Sequence, residues 1–240
     1  MKMRIYILTI FFFVLTCTVY AQQKPYSTFY YQRASLFEKL PVDSTDIVFL
    51  GNSITNGCEW SELFPGQHVK NRGISGDRTT GVYNRLHTIL PGKPRKIFLL
   101  IGVNDLEHGV LIDSVVHGII RIAERVKTES PRTELYIQSI LPVNDQFGKF
   151  AKHTNKGAEI IEINKQIQKY CVENQLTFID LYAFFKNKDN EKMNPAYTND
   201  GLHLLGDGYF LWKSIVKEYV EIAIAEFVEG RESPFPSVQP

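Results

Sequence analysis

The 240-residue chain carries 27 Lys and Arg residues against 26 Asp and Glu residues, which gives a formal net charge of +1 at pH 7. This balance, without any basic block, argues against binding to nucleic acid or to anionic membrane surfaces. The three cysteines do not fall into a Cys/His pattern with zinc-binding spacing, so no structural metal is expected.

The first 21 residues have the pattern of a secretory signal peptide. Lys2 and Arg4 precede an apolar run over residues 5–19, and Ala21 follows as the predicted cleavage position. The pattern predicts export to the periplasm or the extracellular space. A membrane anchor is the alternative, but the run is short for a span of about 20 residues. A lipoprotein would use Cys17, which lacks the usual small residues before it. No stable membrane insertion is expected.

The remaining chain, about 220 residues, is long enough for one α/β domain with a substantial core. Residues 22–45 form a polar and aromatic arm. A short helix is predicted over residues 30–40, with Leu36, Phe37 and Leu40 packed on the domain. The domain is predicted over residues 46–229, and the proline-containing tail over 230–240 is expected to be loose.

Within the domain, short apolar runs alternate with segments of helical periodicity. The predicted strands are 47–50, 68–71, 96–101, 134–140 and 176–181, and the predicted helices are 54–63, 78–90, 113–128, 155–173 and 209–227. This alternation predicts an α/β fold in which a five-stranded parallel sheet is covered by helices on both faces.

Two short motifs indicate a chemical site. Ser53 follows the first predicted strand and Gly51, at the edge of the sheet where ligands bind in open α/β folds. Asp200 and His203 are three residues apart, so the carboxylate can orient the imidazole as a base for a serine hydroxyl. The simpler alternatives are a turn with a helix cap at Ser53 and a capped turn at Asp200.

Four sequence blocks in order resemble those of the SGNH hydrolases, also called the GDSL esterase/lipase family, and in particular their platelet-activating-factor-acetylhydrolase-like branch. The blocks are GNSIT, NRGISGDRT, IGVNDL and DGLHL, at residues 51–55, 71–79, 101–106 and 200–204. The resemblance extends from about residue 46 to the helix after His203. The first block has Gly-Asn-Ser in place of Gly-Asp-Ser, which keeps the serine.

The resemblance implies a three-layer, flavodoxin-like domain and a role for each matching residue. Ser53 would be the nucleophile, His203 its base and Asp200 the residue that orients His203. The oxyanion would be bound by the backbone N–H groups of Ser53 and Gly76 and by the side-chain amide of Asn104. No cofactor or metal is implied. Taken alone, Gly76 and Asn104 would each be interpreted as an ordinary turn residue.

Other polar residues are given structural roles. Asp77 and Arg78 are predicted to brace the Gly76 loop, and Asp105 to position the Asn104 turn. Trp60 could line the pocket or pack in the core. Cys58 and Cys171 are not expected to pair, although an oxidising compartment would permit it. The remaining histidines are predicted to be surface or hydrogen-bonded residues: His68, His87, His108, His117 and His153.

Three other classes of protein fit the sequence less well. A metal-dependent hydrolase would use Asp105, His108, Asp200 and His203, and would leave the Ser53 and Gly76 motifs without a role. A non-catalytic carbohydrate-binding module would be expected to have lost Ser53, Asn104 or His203. The α/β-hydrolase fold requires Gly-x-Ser-x-Gly, which is absent.

The sequence therefore predicts an exported serine esterase that cleaves short-chain esters, acetyl esters of carbohydrate above all, through an acyl-enzyme. The substrate would be a small molecule or a glycan. A lysophospholipase or thioesterase-type acylhydrolase is the alternative. Polar residues in the loop over 142–152, among them Asn144, Asp145, Gln146 and Lys149, favour a sugar over a lipid. The oligomeric state is not indicated.

Overall fold

The computed structural model describes residues 25–221, and its centre is a five-stranded parallel sheet with the order β2-β1-β3-β4-β5. The strands are β1 (Ile47–Gly51), β2 (Val69–Gly73), β3 (Lys96–Leu100), β4 (Glu134–Gln138) and β5 (Thr177–Ile179). The predicted fold class and all five predicted strands are confirmed. The predicted signal peptide, the tail and the last residues of the predicted closing helix lie outside the described residues.

Helices cover both faces of the sheet because successive strand residues point to opposite sides. Val48 and Leu50 pack on one face against α4 (Thr79–Arg85), α6 (Ile112–Glu129) and α8 (Gly157–Glu173). On the other face, Ile47 and Phe49 pack against the elements α2 (Ser53–Asn56), α3 (Trp60–Leu63), α9 (Leu181–Phe185) and α10 (Gly206–Glu221). Two short helices, α5 (Val103–Glu107) and α7 (Ala151–Thr154), follow the carboxyl ends of β3 and β4.

Strand β1 is flanked by β2 on one side and by β3 on the other. The chain therefore leaves β1 and β3 in opposite directions, and this opens a crevice at their carboxyl ends. Ser53 and Asn104 follow these two strands directly. The topology thus brings the first and third sequence blocks to the same edge of the sheet.

The predicted helix over residues 54–63 is two separate helices. Gly57 ends α2, and α3 begins only at Trp60. The Asn71 side-chain amide donates hydrogen bonds to the carbonyls of Asn56 and Cys58, at 3.1 and 2.9 Å. These bonds satisfy carbonyl groups between the two helices.

The predicted helix over residues 78–90 is also shorter than expected. Helix α4 ends at Arg85 and continues as two 3₁₀ turns, Leu86–Thr88 and Leu90–Gly92. Pro91 lies in the second turn, and its nitrogen has no hydrogen to donate to a carbonyl of the preceding turn, so an α-helix does not continue through it.

The helix of the N-terminal arm, α1 (Thr28–Phe37), packs on the domain through only one of the three predicted residues, Phe37. Phe37 is buried with Tyr30 and Ile74, and the Arg33 and Arg72 guanidinium groups each lie 4.8 Å from its ring centroid. The prediction was wrong for Leu36 and Leu40, which are each 42% exposed. Tyr30 and Phe37 are seven residues apart and share one helix face, which turns Leu36 away.

Cys58 and Cys171 are both buried free thiols. They belong to the hydrophobic cores on opposite faces of the sheet, so they cannot form a disulfide, as the sequence led us to expect. Among the helices of residues 25–221, none combines the length and the apolar character needed to cross a membrane.

Candidate active site

Ser53 lies at the first position of α2, immediately after β1. Its Oγ is 3.1 Å from Nε2 of His203, which is 150 residues further along the chain. The Asn52 side chain caps α2 by accepting a hydrogen bond from the Ile54 N–H at 3.1 Å. The end of β2 passes so close to this turn that a Cβ on Gly73 would lie 2.3 Å from the Asn56 nitrogen. Only glycine fits there.

Asp200 makes three hydrogen bonds within one turn, two of them with His203. Its Oδ2 lies 2.8 Å from Nδ1 of His203, and its Oδ1 accepts from the backbone N–H groups of Leu202 and His203 at 2.8 and 2.7 Å. Burial raises the pKa of the Asp200 carboxyl, but these hydrogen bonds outweigh burial and hold the pKa below its usual value. A carboxylate at Nδ1 selects the tautomer with the proton there, which leaves Nε2 as the acceptor that faces Ser53.

The three predicted oxyanion donors follow β1, β2 and β3. The Ser53 N–H is in the first turn of α2, where it has no partner within the helix. Gly76 has φ of +78°, which favours glycine, and its N–H has no acceptor within residues 25–221. The Asn104 side chain is buried, and its Nδ2 donates to the Asp77 carbonyl at 2.8 Å. That bond joins Asn104 to the loop that carries Gly76.

Two buried carboxylates brace these turns. The Asp77 Oδ2 accepts from Nε of Arg85 at 2.8 Å, and Nη2 of Arg85 donates to the Gly51 carbonyl at 3.0 Å. Asp105 accepts from the Thr79 hydroxyl at 2.6 Å and from the Thr79 N–H at 3.0 Å. Burial raises the pKa of both carboxyl groups, and the Arg85 and Thr79 hydrogen bonds oppose this effect. These contacts agree with the bracing roles predicted for Asp77 and Asp105.

The prediction for Arg78 needs correction, because its side chain does not brace the Gly76 loop. Only its backbone N–H contacts Asp77, at 2.9 Å from Oδ1, whereas its guanidinium donates to the Pro25 carbonyl at 3.4 Å. The residue that braces the loop is Arg85, which the sequence analysis missed. A lone arginine seven positions into a helical segment carries no signal that its partner is Asp77.

Two further residues of the site were missed, and both come from the segment after β4. Nε2 of His153 lies 3.0 Å from Oδ1 of Asn104. The Phe150 ring stands edge-on to His203 and His153, with centroids 5.1 and 6.0 Å apart. Their partners at the site, Asn104 and His203, are distant in sequence, so only the tertiary structure brings the two residues to the site.

The other candidate residues lie elsewhere. Trp60 is 1% exposed and stacks on Phe49 with centroids 3.7 Å apart, so it is a core residue. The Ser75 hydroxyl donates to the Asn56 side chain rather than to a base. Of the carboxylates that a metal-dependent hydrolase would use, Asp105 is bound to Thr79, and Asp200 is paired with His203. Within the described part of the chain, no group of three or more His, Cys, Asp or Glu side chains could hold a metal ion.

The parallel sheet and the serine, histidine and N–H groups at its carboxyl edge define the class of α/β carboxylic ester hydrolases. Residues 49–211 match the model of the GDSL-like lipase/acylhydrolase family, and the chain belongs to this family. The resemblance seen in the four sequence blocks is thereby confirmed.

Named relatives agree with this assignment. The rat platelet-activating factor acetylhydrolase IB subunit alpha2 is 26% identical over 170 residues, which are 68% of this chain and 71% of the relative. A GDSL-like lipase from Bacteroides thetaiotaomicron superposes with a TM-score of 0.70 at 25% identity, over 81% of this chain and 98% of that one. The acetylxylan esterase Axe2 from Geobacillus stearothermophilus shares the fold with a TM-score of 0.58 at 16% identity, over 75% and 95% of the two chains.

Proposed function

We propose that this GDSL-type esterase removes acetyl groups from carbohydrate by means of a Ser53–His203–Asp200 triad. The observation that carries the proposal is the position of the His203 imidazole, which lies 3.1 Å from the Ser53 hydroxyl and 2.8 Å from the Asp200 carboxylate. This is the arrangement that activates a serine as a nucleophile.

In the proposed reaction, Oγ of Ser53 attacks the ester carbonyl while Nε2 of His203 takes the hydroxyl proton. The negative charge on the carbonyl oxygen is stabilised by the N–H groups of Ser53 and Gly76 and by Nδ2 of Asn104. The protonated His203 then donates its proton to the departing alcohol, which leaves an acetyl ester on Ser53. Water, deprotonated by His203, hydrolyses this ester and regenerates the enzyme.

The surroundings of His203 support a bulky, polar leaving group. The His203 side chain is 34% exposed, so a large alcohol can reach it. Phe150 is 47% exposed and its ring stands edge-on to His203, and an aromatic ring beside the base would suit the apolar face of a sugar ring. Exposed polar residues of the same loop include Asp145 and Lys149.

One residue of that loop does not support a sugar site. Asn144 is 2% exposed, and its side chain is occupied by the Met193 carbonyl and the Gln146 N–H. It shapes the loop and is not available to a substrate, contrary to our expectation from the sequence.

The relatives' names support an acetyl group as the acyl part of the substrate and do not bear on the identity of its alcohol part. Two are named as acetyl-removing enzymes, the rat acetylhydrolase and the acetylxylan esterase. The alternative substrate is a lysophospholipid or a thioester with a longer chain. The predicted signal peptide further suggests that the enzyme acts outside the cytoplasm, on extracellular or cell-wall sugars. Recovery of the protein from the cell's cytoplasmic fraction with residues 1–21 intact would contradict export.

The catalytic proposal is tested with a fluorophosphonate probe and p-nitrophenyl acetate. Ser53→Ala should abolish labelling and nearly all turnover, whereas Ser75→Ala, which removes the serine of the neighbouring loop, should retain both. Labelling of the Ser53→Ala protein at the wild-type rate would refute the assignment. Release of acetate from acetylated xylooligosaccharides, compared with release of fatty acid from lysophosphatidylcholine, tests the substrate class.

A further inference from the structure

The amide of Asn104 can work as an oxyanion donor only in one of its two orientations, and its neighbours decide which. Asn104 is 6% exposed, and one end of its amide faces the Asp77 carbonyl at 2.8 Å. A carbonyl oxygen only accepts hydrogen bonds, so the NH₂ group must lie at that end. Nδ2 has two hydrogens, and the second remains available to the substrate.

The other end of the amide, Oδ1, lies 3.0 Å from Nε2 of His153. Since Oδ1 only accepts, His153 must donate from Nε2. We propose that His153 is a positioning residue, which fixes the Asn104 amide with its free N–H toward the ester oxygen. The inference rests on the proposed function, because it assumes that Asn104 is an oxyanion donor.

The backbone around His153 is constrained so that the ring stays in place. His153 is in α7, whose N-cap residue Phe150 has φ of +50°. The His153 N–H donates to the Phe150 carbonyl at 2.7 Å, and the Thr154 hydroxyl donates to the Lys149 carbonyl at 3.1 Å. A left-handed conformation at a bulky residue is costly, so the surrounding hydrogen bonds must outweigh it.

The charge state of His153 is compatible with this role. Burial lowers its pKa, the His203 and His108 side chains lower it further, and Glu107 opposes them. A neutral imidazole can donate from Nε2 and adds no second positive charge near His203. That matters because His203 itself becomes cationic when it takes the Ser53 proton.

Loss of His153 would leave Oδ1 of a buried amide without its donor. Held by the Asp77 carbonyl alone, the amide would turn about that hydrogen bond, and its second N–H would move off the oxyanion position. A donor that acts on the transition state affects kcat rather than KM. We therefore expect His153→Ala to lower kcat by about tenfold or more with little change in KM. This is a fraction of the roughly 10²–10³-fold fall in kcat that follows the loss of one oxyanion donor.

The test uses a matched pair of substitutions and a double-mutant cycle, with kcat measured on p-nitrophenyl acetate. His153→Gln keeps an N–H donor of similar reach and should recover most of the lost kcat. His153→Glu has the same shape without the donor and should not recover it. In an Asn104→Ala background, His153→Ala should have almost no further effect, because there is no amide left to position.

His108→Ala is the control, since the His108 ring contacts the main-chain carbonyl of Asn104, at 2.9 Å, and the Glu107 carboxylate but not the Asn104 amide, and the variant should keep a kcat close to that of wild type. Any of three outcomes would overturn the inference. The fall in kcat in His153→Ala could be no larger than in His108→Ala, Gln and Glu could restore kcat equally, or the effects of His153→Ala and Asn104→Ala could be fully additive. Failure of the proposed function is distinguishable, because Asn104→Ala alone or Ser53→Ala would then leave kcat unchanged.

Discussion

Arg85 and Asp77 form a fully buried ion pair in the part of the chain that carries Gly76, with side chains 1% and 0% exposed. The pair joins two of the family blocks, because Arg85 also binds the Gly51 carbonyl at the end of β1. The ion pair therefore links the stability of the fold to the positions of the proposed oxyanion donors.

Arg85→Met should lower the free energy of unfolding by about 3–5 kcal/mol, because it leaves the Asp77 carboxyl buried without its partner. Urea denaturation measures the loss. Lys169→Met provides the control, because the Lys169–Glu173 pair is 77% and 59% exposed and should contribute no more than about 1 kcal/mol. Equal losses in the two variants would show that the Arg85 pair is no more important than a surface contact.

Asp200→Asn should change stability in a pH-dependent manner. The folded-state pKa of Asp200 lies below its usual value of 3.8, so ionised Asp200 stabilises the fold above about that pH, and this stabilisation is lost as the pH falls through the folded-state pKa. We expect the free energy of unfolding of wild type to exceed that of Asp200→Asn by about 1.5–3 kcal/mol at pH 7, the range for hydrogen bonds to a charged group.

Thermal unfolding of both proteins between pH 7 and pH 3 measures this difference. The gap in Tm should narrow as the pH falls below 3.8, the usual Asp value. A gap that stays constant or widens toward low pH would contradict the pKa direction. Asp189→Asn, at an exposed turn, serves as a control for removal of one surface carboxylate.

Phe150→Ala should discriminate between substrates. If the ring contacts the leaving alcohol, kcat/KM for acetylated xylooligosaccharides should fall by about tenfold, while p-nitrophenyl acetate should be affected less. Phe184→Ala is the control, because Phe184 is also exposed (57%) but lies in α9, after the edge strand β5. An equal fall for both substrates would place Phe150 in the support of His203 rather than at the alcohol.

Acyl length separates the proposed acetylesterase from the long-chain alternative. Ile54 follows the nucleophile and Leu106 lies two residues after Asn104, and both side chains are buried, in the cores on opposite sides of the sheet. We take the bulky Leu106 side chain, so near the proposed oxyanion residue Asn104, to limit the room for an alkyl chain. We expect kcat/KM to fall at least about tenfold from acetyl to octanoyl p-nitrophenyl esters.

The opposite trend would have a clear meaning. A methylene that enters an apolar pocket gains about 0.8 kcal/mol, so an enzyme with a long acyl channel becomes more efficient as the chain grows. A rise in kcat/KM up to eight carbons would favour the lysophospholipase alternative. It would leave the Ser53 assignment unaffected.

The sequence by itself determined the sheet, the family and the candidate residues Ser53, Asp200 and His203. Strands buried on both faces read as continuous apolar runs, and family blocks are contiguous in the chain, so both are visible without coordinates. Asp200 and His203 are three residues apart, which makes their contact a local property. The positions of the blocks also place Ser53, Gly76 and Asn104 after the first, second and third predicted strands, whereas the adjacency of these strands is known only from the topology.

Only the tertiary structure decided which residues support those candidates. Arg85 reaches Asp77 and the end of β1, and His153 reaches Asn104 across 49 residues of sequence. Such pairs have no periodic pattern, because each depends on how two loops fold back over the sheet. The same holds for Leu36, whose exposure follows from the rotation of α1 on its neighbours and not from its own hydrophobicity.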